Sequence, residues 1–567
     1  MKKYIFSTII AACSLGFVTS CVDSDFKSNA FLYDEDLTLK NPGDSLYSIV
    51  GLLTEVQKLG ERYVVFGEAR GDLMSVSSTA NLEIQELSRF EPQTNDTYLR
   101  KTDFYNVINH CNWILSKMDP EVTEGGERVL ADEYAAAKLY RAWTYLQLGL
   151  AYGEVEWITK PILSLEDSQR SYEKIGLDEL VRRLIVDVEP YIAEKRPNIA
   201  DIQGIPAYKF FLIPKLFLAD LYLYDGQFAN AAAMYYATIK DNYLTIGNSS
   251  IHFSYGSTSR MSMQTTAFTS NYANESLVVI PYSNNANAYH TDLLNMTINK
   301  EPSLLPAQSW VDEMAAKTYY FGSQSYVPSS YLGVENGGDL RATVQYGDET
   351  WHNGGCVGYW RTATGAREEM MISKFYNNAT GYSDASTENT VLGWPMGLTQ
   401  LALVRTPHVY LRYAEAVNRL GKPTLAYAVV RYGLNKKNLT DEEKAVVDPA
   451  ELESGEEWLN WSDGMFEGNI GSAVRGRGWG FNYPESVAED LPEDLDEHQL
   501  MLYIEDLLVD EMAAETAFEG NRFFDLVRVA HHRGDDASFF ASRVSKRADD
   551  PDAMYARLLD RKNWFIR

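Results

Sequence analysis

The chain has 567 residues, a formal net charge of −28 and 45% hydrophobic residues. A surface this acidic repels phosphate backbones, and no Lys/Arg-rich block offers a local exception, so nucleic acid is excluded as a partner. The length suffices for one very large domain or several ordinary ones, with enough apolar and aromatic residues for a sizeable core.

Residues 1–20 read as a leader. Lys2 and Lys3 give a basic start, Tyr4 to Val18 an apolar stretch, and Thr19 and Ser20 a small or polar approach to Cys21. That order describes a secretory signal. The apolar run is too short, and too broken by Ser and Thr, for a membrane span. A cysteine directly after the small residues resembles a bacterial lipobox, which makes Cys21 the expected site of lipid attachment. An ordinary signal with a chance cysteine is the rival reading. Acyl chains contribute about 0.8 kcal/mol per buried CH₂, enough together for stable anchoring. Residues 21–36 continue as a polar, acidic stretch, VDSDFKSNAFLYDED after the cysteine, and read as a solvated tether. After Cys21 no window approaches the roughly 18 apolar residues a membrane helix needs.

Helical periodicity dominates 40–60, 98–118, 128–152, 174–194 and 207–240, which makes 37–240 an N-terminal helical part. Within 207–240, Leu218, Ala219, Tyr222, Gly226, Phe228, Ala231, Tyr235 and Ile239 fall where a tetratricopeptide helix pair needs them. Small residues let the helices approach, the glycine turns the chain, and rings fill the seam. A second copy lies in 410–434 with Ala414, Gly421 and Ala426, and weaker echoes surround Gly153 and Gly520. The spacing is irregular. The expected fold is mostly α: irregular tetratricopeptide-like helical repeats with long loop-rich insertions and a few short strands.

From 241 to 400 the chain turns rich in Asn, Ser, Gly and Thr, and NESLVVIPY (274–282) reads as a short buried strand. Rings concentrate in 310–360, interleaved with Asn, Gln, Ser and Gly. Flat apolar faces beside short hydrogen-bonding groups suit a sugar ring, and an extended peptide about as well. Trp310, Tyr319, Tyr320, Tyr331, Trp351, Tyr359 and Trp360 are therefore the candidate ligand-binding residues, with Trp394 and the Trp458/Trp461 pair weaker candidates on the same grounds. The competing reading is that loop rings merely pin irregular backbone to the scaffold. The C-terminal helical part, 401–567, carries a second loop-rich insertion at 436–500.

No phosphate loop, serine-hydrolase elbow, HExxH or EF-hand loop is present, and no cofactor or metal is expected. His531 and His532 are adjacent, point about 100° apart on a helix, and read as a polar helix end. Cys111 and Cys356 could form a bridge outside the cytoplasm or remain separate buried thiols.

Five blocks, in order, resemble the SusD/RagB family of outer-membrane nutrient-binding lipoproteins. They are EYAAAKLYRAWTYLQLGLAYG (133–153), NESLVVIPY (274–282), VRTPHVYLRYAEAVNRLG (404–421), EMAAETAFEGNRFFDLVR (511–528) and KNWF (562–565). Met512 stands where the family usually has arginine, and the chain lacks the usual proline-containing ending, which puts the packing of the last segment in doubt. The resemblance implies one SusD-like unit over 37–567. It also implies a non-enzymatic, lipid-anchored protein on the extracellular side of the outer membrane that presents oligosaccharide, or secondly oligopeptide, to a SusC-like TonB-dependent transporter. A surface-anchored hydrolase and a purely structural partner are the competing classes. Glu519, Arg522, Asp525 and Arg528 recur every three residues, lie along one side of a helix if it is continuous, and read as a structural charge network.

Overall fold

The computed structural model describes residues 39–566 except 92–96, 200, 202–203, 248–250, 253–260, 263–267, 269–274, 283–290, 299–300, 318–338, 340, 347–349, 354–355, 362–366, 376–397, 437–438, 440–446, 478–490 and 493. Helix α1 (Pro42–Gln57) starts on Asn41, whose side chain accepts from the Asp44 N–H, with proline in the first turn. A short break leads to α2 (Gly60–Glu68), buried over most of its surface. Then follow α3 (Leu82–Ser88), α4 (Thr102–Lys117), α5 (Ala131–Tyr152) and α6 (Leu177–Val188). The expected helices shrink by a few residues at their ends, where capping rather than periodicity decides. Helix α5 is buried nearly all round between α4 and α6. Its Gly149 lets α6 approach: a Cβ there would lie 2.5 Å from Leu180.

Both tetratricopeptide-like pairs form. Helices α7 (Pro214–Tyr224) and α8 (Phe228–Asp241) are joined through Gly226 at φ +75°. After α9 (Gln308–Ala315), helices α10 (Thr406–Arg419) and α11 (Pro423–Arg431) join through Gly421 at φ +73°. A left-handed turn of this kind favours glycine because it has no Cβ to clash. The pairs stack, α8 against α10. The echo at Gly153 differs: its turn feeds a β-hairpin, and only after it does α6 pack back on α5. Helices α12 (Glu497–Thr516), α13 (Arg522–His532), α14 (Ala537–Val544) and α15 (Pro551–Leu558) complete the C-terminal part.

Strands are short and pair in two-stranded antiparallel ribbons. Those of three residues or more among the described residues are β1 (Met74–Val76), β2 (Glu154–Glu156), β3 (Lys174–Gly176), β4 (Ser276–Pro281), β5 (Leu304–Pro306), β6 (Thr343–Tyr346), β7 (Thr350–Asn353), β8 (Val357–Arg361), β9 (Arg367–Ile372) and β10 (Gln400–Arg405). The expected strand in 274–282 is β4. Its partner β10 runs straight into α10, and every residue of β10 is buried. The architecture is thus mostly helical with short strands, as the sequence predicts.

The last segment closes onto the N-terminal helices. Trp564 is fully buried and donates from Nε1 to the Leu558 carbonyl, while the Ile566 N–H donates to the Ala151 carbonyl at 2.9 Å. Arg70, buried over the Phe523 ring, donates to the Ala151 and Trp564 carbonyls at 3.1 Å each. These guanidinium bonds satisfy carbonyls that helix ends leave open. Cys111 and Cys356 are both buried and free.

Candidate functional site

The C-terminal block, 511–528, is interrupted. Helix α12 ends at Thr516, Phe518 (φ +67°) and Gly520 (φ +95°) turn the chain, and α13 begins at Arg522. Glu519 therefore lies in the turn, and the four charged residues do not share one helix face. Asp525 and Arg528 pair with each other, while Glu519 and Arg522 find partners elsewhere. Arg405 donates from Nε to Glu519 Oε2 at 2.8 Å and from Nη2 to Oε1 at 2.6 Å, and Lys374 also pairs with Glu519. Arg522 pairs with Asp72, Arg528 with Glu415 at 2.6 Å and with Asp525 at 2.7 Å.

Around Glu519 the charges extend through Glu515, which accepts from Arg405 and Arg475, to Glu275, which takes the same two arginines. Arg341 joins Asp339, Glu511 and Glu515 to the same web. Burial pushes the Glu515 carboxyl up, but Arg475, Arg405 and Arg341 outweigh it and hold it at about 2. Burial drives the neighbouring His408 down to about 3, and its Nδ1 accepts from the Arg405 N–H. These carboxylates are sealed and spoken for by guanidiniums, so Glu515 is no proton donor near neutrality. The web ties β4, β10, α12 and the loop-rich part into one core.

Beside it opens a cleft of about 720 Å³, within the roughly 300–1,000 Å³ typical of ligand sites. Helices α9, α12 and α14 line it, with Asp72, the start of α13, the turns at Arg533 and Lys546, and Tyr555 of α15. Asp506 and Asp510 stand one turn apart on α12. Arg533 donates to Asp506 at 3.0 Å, and Arg543 bridges Asp506 at 3.1 Å and Asp510 at 2.6 Å. Both guanidiniums lie over the Phe539 ring, at 4.3 and 5.1 Å, which orders them by cation–π attraction. Lys546 and Glu313 pair at 2.7 Å across the mouth. A second, enclosed cavity among Gln147, Asp220 and Arg412 holds only about 60 Å³, room for a few waters and not for a sugar ring.

Of the rings expected to bind ligand, Trp310 sits on α9 at the cleft but is only 5% exposed, its ring edge-on to Phe518 at 5.5 Å. Trp351 lies in β7 opposite Gln345, and Tyr359 in β8 opposite Met370, with Trp360 at the bulge that follows. The β6–β7 ribbon packs beside α9. Tyr319, Tyr320, Tyr331, Trp394 and Cys21 lie outside the described residues. Trp461 is core: 1% exposed, it donates from Nε1 to the Tyr413 hydroxyl at 3.1 Å among the rings of Tyr236, Tyr410 and Phe466. His531 ends α13 and meets Asp535 at 2.9 Å. Asp506, Asp510, Arg533 and Arg543 were not singled out by sequence, where they are four among many charges.

The SusD family model matches residues 235–557, more than half of the chain. The chain belongs to the SusD family. Its fold is similar across nearly its whole length to solved structures. A SusD superfamily protein from Bacteroides vulgatus has a TM-score of 0.57 at 14% identity, covering 92% of this chain and 93% of its own. A SusD-like carbohydrate-binding protein from Bacteroides fragilis reaches 0.53 at 14% identity, covering 87% and 86%. Surface glycan-binding protein A from Bacteroides fluxus reaches 0.51 at 15%, covering 88% and 90%. At these identities the likeness carries the SusD fold alone. No curated protein matches the sequence. Among the described residues no helix is long and apolar enough to cross a membrane.

Proposed function

We propose that this SusD-family chain is a cell-surface glycan-binding lipoprotein, tethered through Cys21 and residues 21–36, that captures oligosaccharide without cleaving it and passes it to a SusC-like TonB-dependent transporter. The 720 Å³ cleft carries the reading: it is of ligand size, polar, and lined by α9, against which the ribbon that holds Trp351 packs. The names of two structural neighbours, a carbohydrate-binding and a glycan-binding protein, support the choice of ligand. In this reading the helical parts, 37–240 and 401–567, form the frame, and 241–400 supplies the ligand-facing loops.

Glycan arrays and peptide libraries probed with the mature protein test it. Binding of oligosaccharides, with no shortened products after long incubation, is expected. Replacing Trp351 and Trp360 with alanine should weaken capture about tenfold, the loss of roughly one stacked ring's 1.4 kcal/mol. Binding confined to peptides would shift the ligand class, and turnover abolished by one carboxylate substitution would make the protein a hydrolase.

A further inference from the structure

The cleft has a chemical bias that its shape alone does not impose. Two of its acids face outward over two arginines: Asp506 and Asp510 side chains are 46% and 55% exposed, whereas Arg533 and Arg543 are 13% and 17% exposed. Two like charges one helical turn apart repel and cost a helix a few tenths of a kcal/mol when nothing offsets them. Here the guanidiniums, ordered on Phe539, fix one oxygen of each carboxylate: Asp506 Oδ1 and Asp510 Oδ1 take every described bond. The Oδ2 atoms are left pointing away from those bonds as acceptors. The lysines on its lining are paired as well, Lys546 at 54% exposure with equally exposed Glu313 and Lys317 at 33% with buried Asp339.

We infer that this cleft selects uncharged, hydroxyl-rich glycans over anionic ones, with Asp506 and Asp510 accepting hydrogen bonds from sugar hydroxyls. The inference rests on the glycan-binding reading and sharpens it. A carboxylate accepts from a neutral hydroxyl in a charge-assisted bond, roughly twice as strong as a neutral one. A uronate or sulfate brings no donor to that oxygen and adds repulsion, reinforced by the chain's net charge of −28. Positions one turn apart are about 5–6 Å between Cβ atoms, so the pair spans more than one hydroxyl.

Isothermal titration of the mature protein against length-matched neutral and uronate-containing oligosaccharides decides the matter. Neutral ligands should bind at least tenfold more tightly, with the gap narrowing as salt rises. Asp510→Asn should lower neutral-glycan affinity about tenfold while the thermal midpoint stays put. The wild-type comparison of ligand classes needs no variant, so a folding defect in Asp510→Asn leaves a decisive result. Anionic glycans that bind as tightly as neutral ones would overturn the inference yet leave glycan binding intact. So would unchanged neutral-glycan affinity in a folded Asp510→Asn. Failure of every glycan to bind would instead remove the functional reading beneath it.

Discussion

Arg405 and Glu519 meet in a two-pronged ion pair, with both side chains wholly buried, across the junction between strand β10 and the α12–α13 turn. The pair joins chain segments more than a hundred residues apart.

Removing one partner leaves a charge without water or counter-charge. Arg405→Leu should therefore destabilise the fold by about 3–5 kcal/mol. Urea denaturation followed by tryptophan fluorescence measures it; a loss under about 1 kcal/mol would mean that Lys374 and Arg475 absorb the vacancy.

Glu68 gives a distinct pH signature. Burial pushes its carboxyl up from 4.5 to about 7, even though it accepts from the Gly520 N–H at 2.7 Å. The folded chain then holds a proton that the unfolded chain has released, so this contribution to stability falls as pH rises from 4.5 towards 7 and levels off above. Glu515 runs the other way, its contribution present above 4.5 and lost as pH falls towards about 2. Glu68→Gln should flatten stability between pH 4.5 and 7 and leave the acid limb unchanged. Denaturation midpoints across that range compare the two proteins directly.

Helix α2 and the α12–α13 turn approach backbone to backbone at Gly67 and Gly520. A Cβ on Gly67 would lie 1.8 Å from the Gly520 carbonyl oxygen, which no side-chain rotation can relieve. Gly67→Ala should cost about 3 kcal/mol or more. Gly468→Ala, with nothing within 4 Å of the new atom, should stay within about 0.5 kcal/mol. Thermal melts of the pair, side by side, give the contrast.

The proposed anchor is separable from the fold. Cys21→Ala should release the protein from membranes in fractionation without shifting its melting temperature, because the polar, acidic stretch 21–36 reads as a solvated tether outside the core. Membrane retention in the variant would remove the lipid tether from the account.

What could be seen in sequence followed the range of the interaction. The Gly226 and Gly421 turns were visible because small residues, rings and glycine recur within one helix pair. Strand β4 was visible as an apolar run, but its partner β10 was not, since QLALVR flows into a helix without a break. Helix α2 was hidden as well: buried on most sides, it shows no amphipathic stripe. Trp461 and Trp351 look alike in a sequence; partners far along the chain, Tyr236, Tyr410 and Tyr413, make the former a core residue. Asp506 and Asp510 gain their meaning from Arg543, which no local spacing ties to them.

Because Trp564 and Ile566 are bonded to the end of α5 and to Arg70, the early helices stay unfinished until the final residues arrive.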